Sequence, residues 1–185
     1  IYTEEQSYVM MAFNIIRTER FNLKYLTAIF NSKLIAYWLK YKGKLQGNIF
    51  QIDTEPLIEI PIAVSTYENT LATLVDYILL VHSASNPQII KYIDNELVVH
   101  AIDEVINHCV YELYFPTDLQ DLDLKILEEL QNIKSIDGIG GDEGKETVIE
   151  FYHWVNEQLN PVRQKILKTN LASKDLLAII NSHIN

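Results

Sequence analysis

Seven basic residues, Arg17, Arg20, Lys24, Lys33, Lys40, Lys42 and Lys44, fall between positions 17 and 44 against Glu19 alone, a local charge of +6 in a chain whose total is −10. The remainder therefore carries −16. A run of ammonium and guanidinium groups neutralises phosphate oxygens, and its contrast with an acidic remainder is the asymmetry expected when one face meets DNA. A solvated helix face followed by a basic loop would give the same pattern without DNA. Lys33 and Lys40, seven residues apart, share a side of any helix that holds both, and Lys42 and Lys44 continue from its end. These four are the candidate phosphate contacts. Gln46, Asn48 and Gln51 follow, with amides that can read an adenine edge through paired hydrogen bonds or serve their own turn backbone.

Other chemistries are weaker in the residues. His100, Glu104 and His108 recur at four-residue spacing, which puts them on one helix face and in principle suits a divalent metal. Eight residues of helix rise about 12 Å, so the outer pair stands far apart, and a polar stripe is the simpler reading. Gly141 to Glu146, GDEGKE, lacks the spacing of a phosphate loop, has Glu146 where Ser or Thr is needed, and is acidic. Cys109 sits in an apolar series and reads as core, and successive helical side chains diverge too far for a His108–Cys109 catalytic pair. Tyr37, Trp38 and Tyr41 beside Lys40 and Lys42 can stack on bases. Tyr37 and Tyr41 belong to an apolar stripe and are assigned to the core; Trp38 fits either role.

The elements that must position these residues can be read coarsely. Leu23, Leu26, Phe30, Leu34, Tyr37 and Tyr41 predict one amphipathic helix over 22–41, stopped at Gly43. Before it, Tyr8 to Ile16 is a short apolar run that fits a buried strand, although its length does not distinguish it from a helix. After it, GKLQGNIFQID suggests a turn at Gly47-Asn48 leading into a short strand, and Pro61 makes Ile60 to Ala63 an extended edge segment. Ser65 and Glu68 fit a capping box for a helix with Leu71, Leu74, Val75, Ile78, Leu79 and His82 on one face. A long helix from Ile90 to Tyr114 follows, with Ile93, Leu97, Ala101, Val105, Cys109 and Leu113 inward. Pro116 starts another, carrying Leu119 to Leu130. Residues 137–145 hold four of the six glycines and read as a linker, and 146–159, 161–169 and 173–183 read as helices. The fold class expected is α+β: a mixed α/β part over 1–64, a helical scaffold over 65–136, the Gly-rich linker, and a helical segment over 146–185.

Composition bounds the class. At 185 residues, 48% hydrophobic and 22% charged, the chain has an ordinary globular balance, with no apolar run of 18 residues to span a membrane. Its start, IYTEEQSYVMM, is acidic where a secretory signal would be basic. One cysteine excludes an internal disulfide. A cytoplasmic location is expected, and a start at Ile rather than Met suggests a piece of a larger protein.

Four fragments, in order, carry a resemblance: Asn31-Ser32 on the helix, the loop and strand Gly47 to Ile52, Ile60-Pro61-Ile62, and Leu71 to Leu79, LATLVDYIL. Together they resemble the TaqI-like C-terminal specificity domain of restriction-modification DNA methyltransferases. A further segment, Ile106 to Phe115, INHCVYELYF, is similar to one in large single-chain type IIG restriction-modification and related phage-defence proteins, which often have Asp at the place of Asn107. The resemblance covers 8–115; residues 116–185 match only in helical character. It implies target-sequence recognition on double-stranded DNA, on behalf of an adenine-specific methyltransferase domain lying N-terminal in the same parent chain, with or without an endonuclease.

Such an enzyme needs a Gly-rich loop for S-adenosylmethionine and an Asn-Pro-Pro-Tyr type tetrapeptide for the flipped adenine. The Asn-Pro pairs here, Asn86-Pro87 and Asn160-Pro161, continue as Gln-Ile and Val-Arg. The expectation is a non-catalytic recognition fragment with no cofactor of its own, the S-adenosylmethionine belonging to the implied parent. The alternative is an acidic helical protein–protein interaction module that makes no DNA contact.

Overall fold

The computed structural model describes residues 2–3, 8, 14–46, 49–51, 54–83, 88–139, 141–172 and 180, with the backbone alone for 44–46, 49–51 and 172. Its described part is mainly helical. α1 (Leu23–Phe30) and α2 (Lys33–Lys42) lead into a hairpin of β1 (Lys44–Gln46) and β2 (Ile49–Gln51), followed by α3 (Thr54–Ile58). The larger helices are α4 (Glu68–Ser83), α5 (Asn95–Tyr114), α8 (Gly141–Asn156) and α9 (Pro161–Ala172), with α6 (Pro116–Asp121) and α7 (Leu127–Leu130) as short connectors.

The expected α/β character of the N-terminal part is thereby corrected. Among the described residues the only sheet is the antiparallel hairpin, with Lys44 opposite Gln51, Leu45 opposite Phe50 and Gln46 opposite Ile49. Of the strand expected over Tyr8 to Ile16, residues 9–13 lie outside the described residues, while 14–18 form no regular element and expose Ile15 and Ile16. The Ile60 to Ala63 segment forms no strand and pairs with no sheet among the described residues. Pro61 has no N–H to offer a ladder, and the carbonyls that could pair are taken by tyrosines: Tyr114 Oη donates to Pro61 O at 2.6 Å and Tyr25 Oη to Ala63 O at 2.8 Å.

One core holds the helices together. Tyr25 and Ile29 of α1, Leu71, Leu74 and Tyr77 of α4, Val98, Ile102 and Val105 of α5, Val148 and Phe151 of α8 and Val162 of α9 are buried in a single cluster. Fully burying each such side chain stabilises by about 1.5–3 kcal/mol, so the helical sandwich rather than any sheet provides the driving force. The cluster includes residues on both sides of positions 64, 136 and 145, and α8 starts at Gly141 within the Gly-rich stretch 137–145. Gly144 explains part of that glycine content: a Cβ there would meet Leu80 Cδ1 at 2.9 Å, so the glycine lets α8 approach α4 closely.

Several boundaries differ from expectation for local reasons. The helix expected over 22–41 breaks at Asn31-Ser32, where the buried Ser32 donates its hydroxyl to Ile29 O at 2.7 Å and accepts from Ile35 N–H, capping a new helix. The helix expected from Ile90 begins at Asn95, capped by the Asp94 carboxylate, after Ile90 and Ile93 form an isolated bridge. The helix after Pro116 stops at Asp121 because Asp123 takes a left-handed conformation, φ 53°. Glu68 does not complete a capping box; it reaches across to accept the N–H of Asn22 at 2.6 Å and so ties α4 to the start of α1. His82 is exposed rather than inward. Most of the segment expected as a last helix, 173–183, lies outside the described residues.

Candidate nucleic-acid interface

The basic segment is built on α1, α2 and the hairpin, and α2 has two different ends. At its N-terminus the first helical N–H, that of Lys33, donates to Asn107 Oδ1 at 2.7 Å. Asn107 is buried on α5, and its amide nitrogen donates to Asp103 O and Oδ2 at 2.8 and 3.0 Å. A carboxylate at this place could accept from Lys33 N–H but could not donate to Asp103; the asparagine satisfies both sides. Two fragments of the resemblance, Asn31-Ser32 and the segment from Ile106, thus meet here. Burial pushes the Asp103 carboxyl above its usual range, and Lys33, close enough to act on it, pulls the other way. The Lys33 side chain is half-buried beside this junction.

His108, one residue on, is also buried, and its Nδ1 lies 2.9 Å from Glu104 O. A carbonyl accepts, so Nδ1 carries the hydrogen. Burial holds the imidazole below its ordinary pKa, Lys33 adds to that, and the Glu104 carbonyl and carboxylate oppose it. Among the described residues no three His, Cys, Asp or Glu side chains converge as metal ligands would. Cys109 is fully buried, its thiol pushed well up by desolvation, which leaves no thiolate for nucleophilic work.

At the C-terminus of α2 the side chains face solvent. The helix ends at Gly43, whose N–H donates to Leu39 O at 2.7 Å, and the chain passes directly into β1. Lys40 is half-buried and Lys42 exposed in the last turn, where cations also complement the helix dipole. Lys42 Nζ lies 3.1 Å from Glu59 Oε2 and 5.4 Å from the centre of the Trp38 ring. Both partners of that ion pair are about half exposed, so the pair is worth little. Tyr41, expected in the core, is 58% exposed and tilts over Tyr37 at 4.7 Å. Tyr37 does pack inward, beside Leu34 against Tyr111, Leu119 and Leu124.

The remaining candidates divide. Lys44, Gln46 and Gln51 lie on the two strands of the hairpin, Lys44 directly opposite Gln51; Asn48 falls in its connection, outside the described residues. Lys24 is turned away from this group, its ammonium 2.7 Å from Asp76 with both side chains only 15% exposed. Asp76 belongs to the LVDYIL fragment, which is thereby explained as a clamp between α4 and α1. Arg20 lies over the Phe21 ring at 5.0 Å. Glu112, of the VYELYF segment, accepts the N–H groups of Ile126 and Leu127 at 2.6 and 2.8 Å and so caps the entry to α7.

What the arrangement brings together is a short hairpin flanked by cations and an exposed aromatic, carried on a helix whose other end is locked into the core. The motif residues outside the hairpin hold elements in place. Residues 1–62 match the TaqI-like C-terminal specificity domain. The specificity-domain match ends at Ile62, so it takes in α1, α2, the hairpin, α3 and the Ile60-Pro61-Ile62 segment that Tyr114 holds. Over 40 residues the chain is 42% identical to the type II methyltransferase M.HincII of Haemophilus influenzae and, equally, to M.HindII of Haemophilus influenzae strain Rd. Those 40 residues are 22% of this chain and 8% of either relative, so only a small part of each methyltransferase is represented. No solved structure matches. No helix among the described residues is long and apolar enough to cross a membrane.

Sequence reasoning missed Glu59 as the counter-ion of Lys42, and it missed the exposure of Tyr41. The second had a signal: Tyr41 lies two residues before the stop at Gly43, in the last turn of α2.

Proposed function

We propose that the chain supplies target-sequence recognition on double-stranded DNA to a restriction-modification, or related phage-defence, adenine-specific methyltransferase whose catalytic domain precedes it in the same parent chain. The observation that carries this reading is the specificity-domain match over the same residues that hold the +6 segment. Lys40, Lys42 and Lys44 contact phosphates at the root of the hairpin and set its register on the duplex; Gln46, Asn48 and Gln51 read base edges from the hairpin itself. Tyr41 packs against a sugar or base face beside them. The fragment performs no chemistry and binds no S-adenosylmethionine; the parent domain flips and methylates the adenine.

The test is replacement of Lys40, Lys42 and Lys44 by Ala in the full-length parent. Duplex binding weakens across unrelated sequences, and the slope of log K against log salt flattens by roughly one unit per lost contact. Lys42 is exposed, and exposed lysine substitutions usually cost within about 0.5 kcal/mol, so its share of any change in the folding midpoint is small. A folded triple variant with unchanged affinity and salt slope would falsify the DNA face.

A further inference from the structure

Away from the basic segment, α4, α7 and α8 enclose an open pocket of about 280 Å³. Its floor is aromatic: Tyr77 and Phe151 meet edge to face at 5.3 Å, and Trp154, half-buried, lies 5.7 Å from Phe151. Its charges are Glu129, Lys134 and Glu150. Glu129 is held in a half-buried pair with Lys165, and Lys134 reaches out to Glu143 at 3.3 Å in an exposed pair. Glu150, exposed, has no cation partner among the described residues. It stands one helical turn before Trp154 on α8, so carboxylate and indole share a face of the helix.

We infer that this pocket binds the guanidinium side chain of an arginine presented by a partner protein segment. Drug-sized ligands fill clefts of about 300–1,000 Å³, so a pocket below that range suits a single long side chain. A carboxylate beside an aromatic face selects a cation, and a planar one in particular: guanidinium stacks on the indole while its N–H fork engages Glu150 bidentately. Two carboxylates, Glu129 and Glu150, against one ammonium, Lys134, line the pocket, and the charge of −16 outside residues 17–44 favours a basic protein segment over nucleic acid as its partner. The occupant is therefore a basic protein segment, and the site goes beyond DNA recognition.

The probe is a blocked Gly-Arg-Gly tripeptide titrated into the chain while the two tryptophan indole N–H resonances are followed by nitrogen-15 NMR, Trp154→Phe assigning them. The expected result is a saturable shift of the Trp154 resonance with the Trp38 resonance fixed, a roughly tenfold weaker response to the uncharged citrulline tripeptide, and a similar loss in Glu150→Gln. An unmoved Trp154 resonance, or a citrulline or lysine tripeptide as effective as the arginine one, overturns the proposal. The citrulline and lysine arms use the unaltered chain, so the outcome does not depend on how Glu150→Gln folds.

Discussion

The two ends of α2 show how one ten-residue helix can be core at one terminus and surface chemistry at the other. At Ser32–Lys33 each polar group has an assigned neighbour: Ser32 joins Ile29 to Ile35, and Asn107 joins Lys33 to Asp103. At Lys40–Gly43 the polar groups are half-buried or exposed, and the one ion pair a direct contact gives Lys42 is a weak surface pair. The difference teaches that a motif residue and a contact residue need not coincide. Asn31-Ser32 marks the helix because it breaks and locks it; the hairpin at the far end is what that lock aims.

The largest expected effect lies at the locked end. Asn107→Leu leaves the Lys33 N–H without its acceptor and the half-buried Asp103 carboxylate without its amide donor, a loss of roughly 2–3 kcal/mol on the scale of unsatisfied buried groups. Urea unfolding should show the midpoint falling with the slope unchanged. Ser32→Ala removes only the cap and should cost about 1 kcal/mol. If either substitution flattened the salt dependence of DNA binding in a variant that remained folded, the division between the two ends would fail.

Acidification sharpens the contrast in sign rather than in size. His108 is held below its ordinary pKa by burial, with Lys33 acting in the same direction and Glu104 against it. The unfolded chain therefore takes up a proton near pH 6.5 that the native state does not, so stability falls as pH drops below that value and stops falling once the folded pKa is passed. Asp103, raised by burial, works with the opposite sign at lower pH, where the native state holds the extra proton. Thermal midpoints measured from pH 7.5 to 5 should decline in the wild type and decline less in His108→Gln. A steeper decline in the variant would contradict the buried neutral imidazole.

Sequence periodicity located the helices better than it located their breaks and faces. The stripe Leu23, Leu26, Phe30, Leu34, Tyr37, Tyr41 keeps helical spacing straight through Asn31-Ser32, so nothing in it announces two helices. The break became visible only through Ser32's bonds and Asn107, 74 positions away from Lys33. On α5 the series Leu97, Ala101, Val105, Cys109, Leu113 advances by four each time. Four residues turn about 400°, so each step drifts about 40° and the series leaves the core side at its ends. Val105 and Cys109 are buried accordingly, whereas Leu97 is 59% exposed and Val98 and Ile102 take its place. The basic segment was legible as charge, but which cations face outward was not: Lys24 is turned to Asp76, and Lys33 is half-buried. The β content was over-read because Ile60-Pro61-Ile62 looks like an edge strand until Tyr25 and Tyr114 are seen to hold its carbonyls.

The smallest effect on stability, and the finest division, is expected within the hairpin itself. Phosphate contacts and base contacts differ in what they read: a lost cation weakens all sequences and lowers the salt slope, whereas a lost amide removes a preference for one base and leaves the slope alone. Gln46→Ala, Asn48→Ala and Gln51→Ala, made singly in the full-length parent, should leave unfolding within about 0.5 kcal/mol of wild type. Selection from a pool of random duplexes should then show preference relaxed at one position for a residue that reads a base. The best-bound sequence should weaken by about 1–3 kcal/mol for a bidentate amide. If all three amide variants select the wild-type sequence with wild-type discrimination, base reading does not reside in the hairpin, and the exposed end of α2 is left with positioning alone.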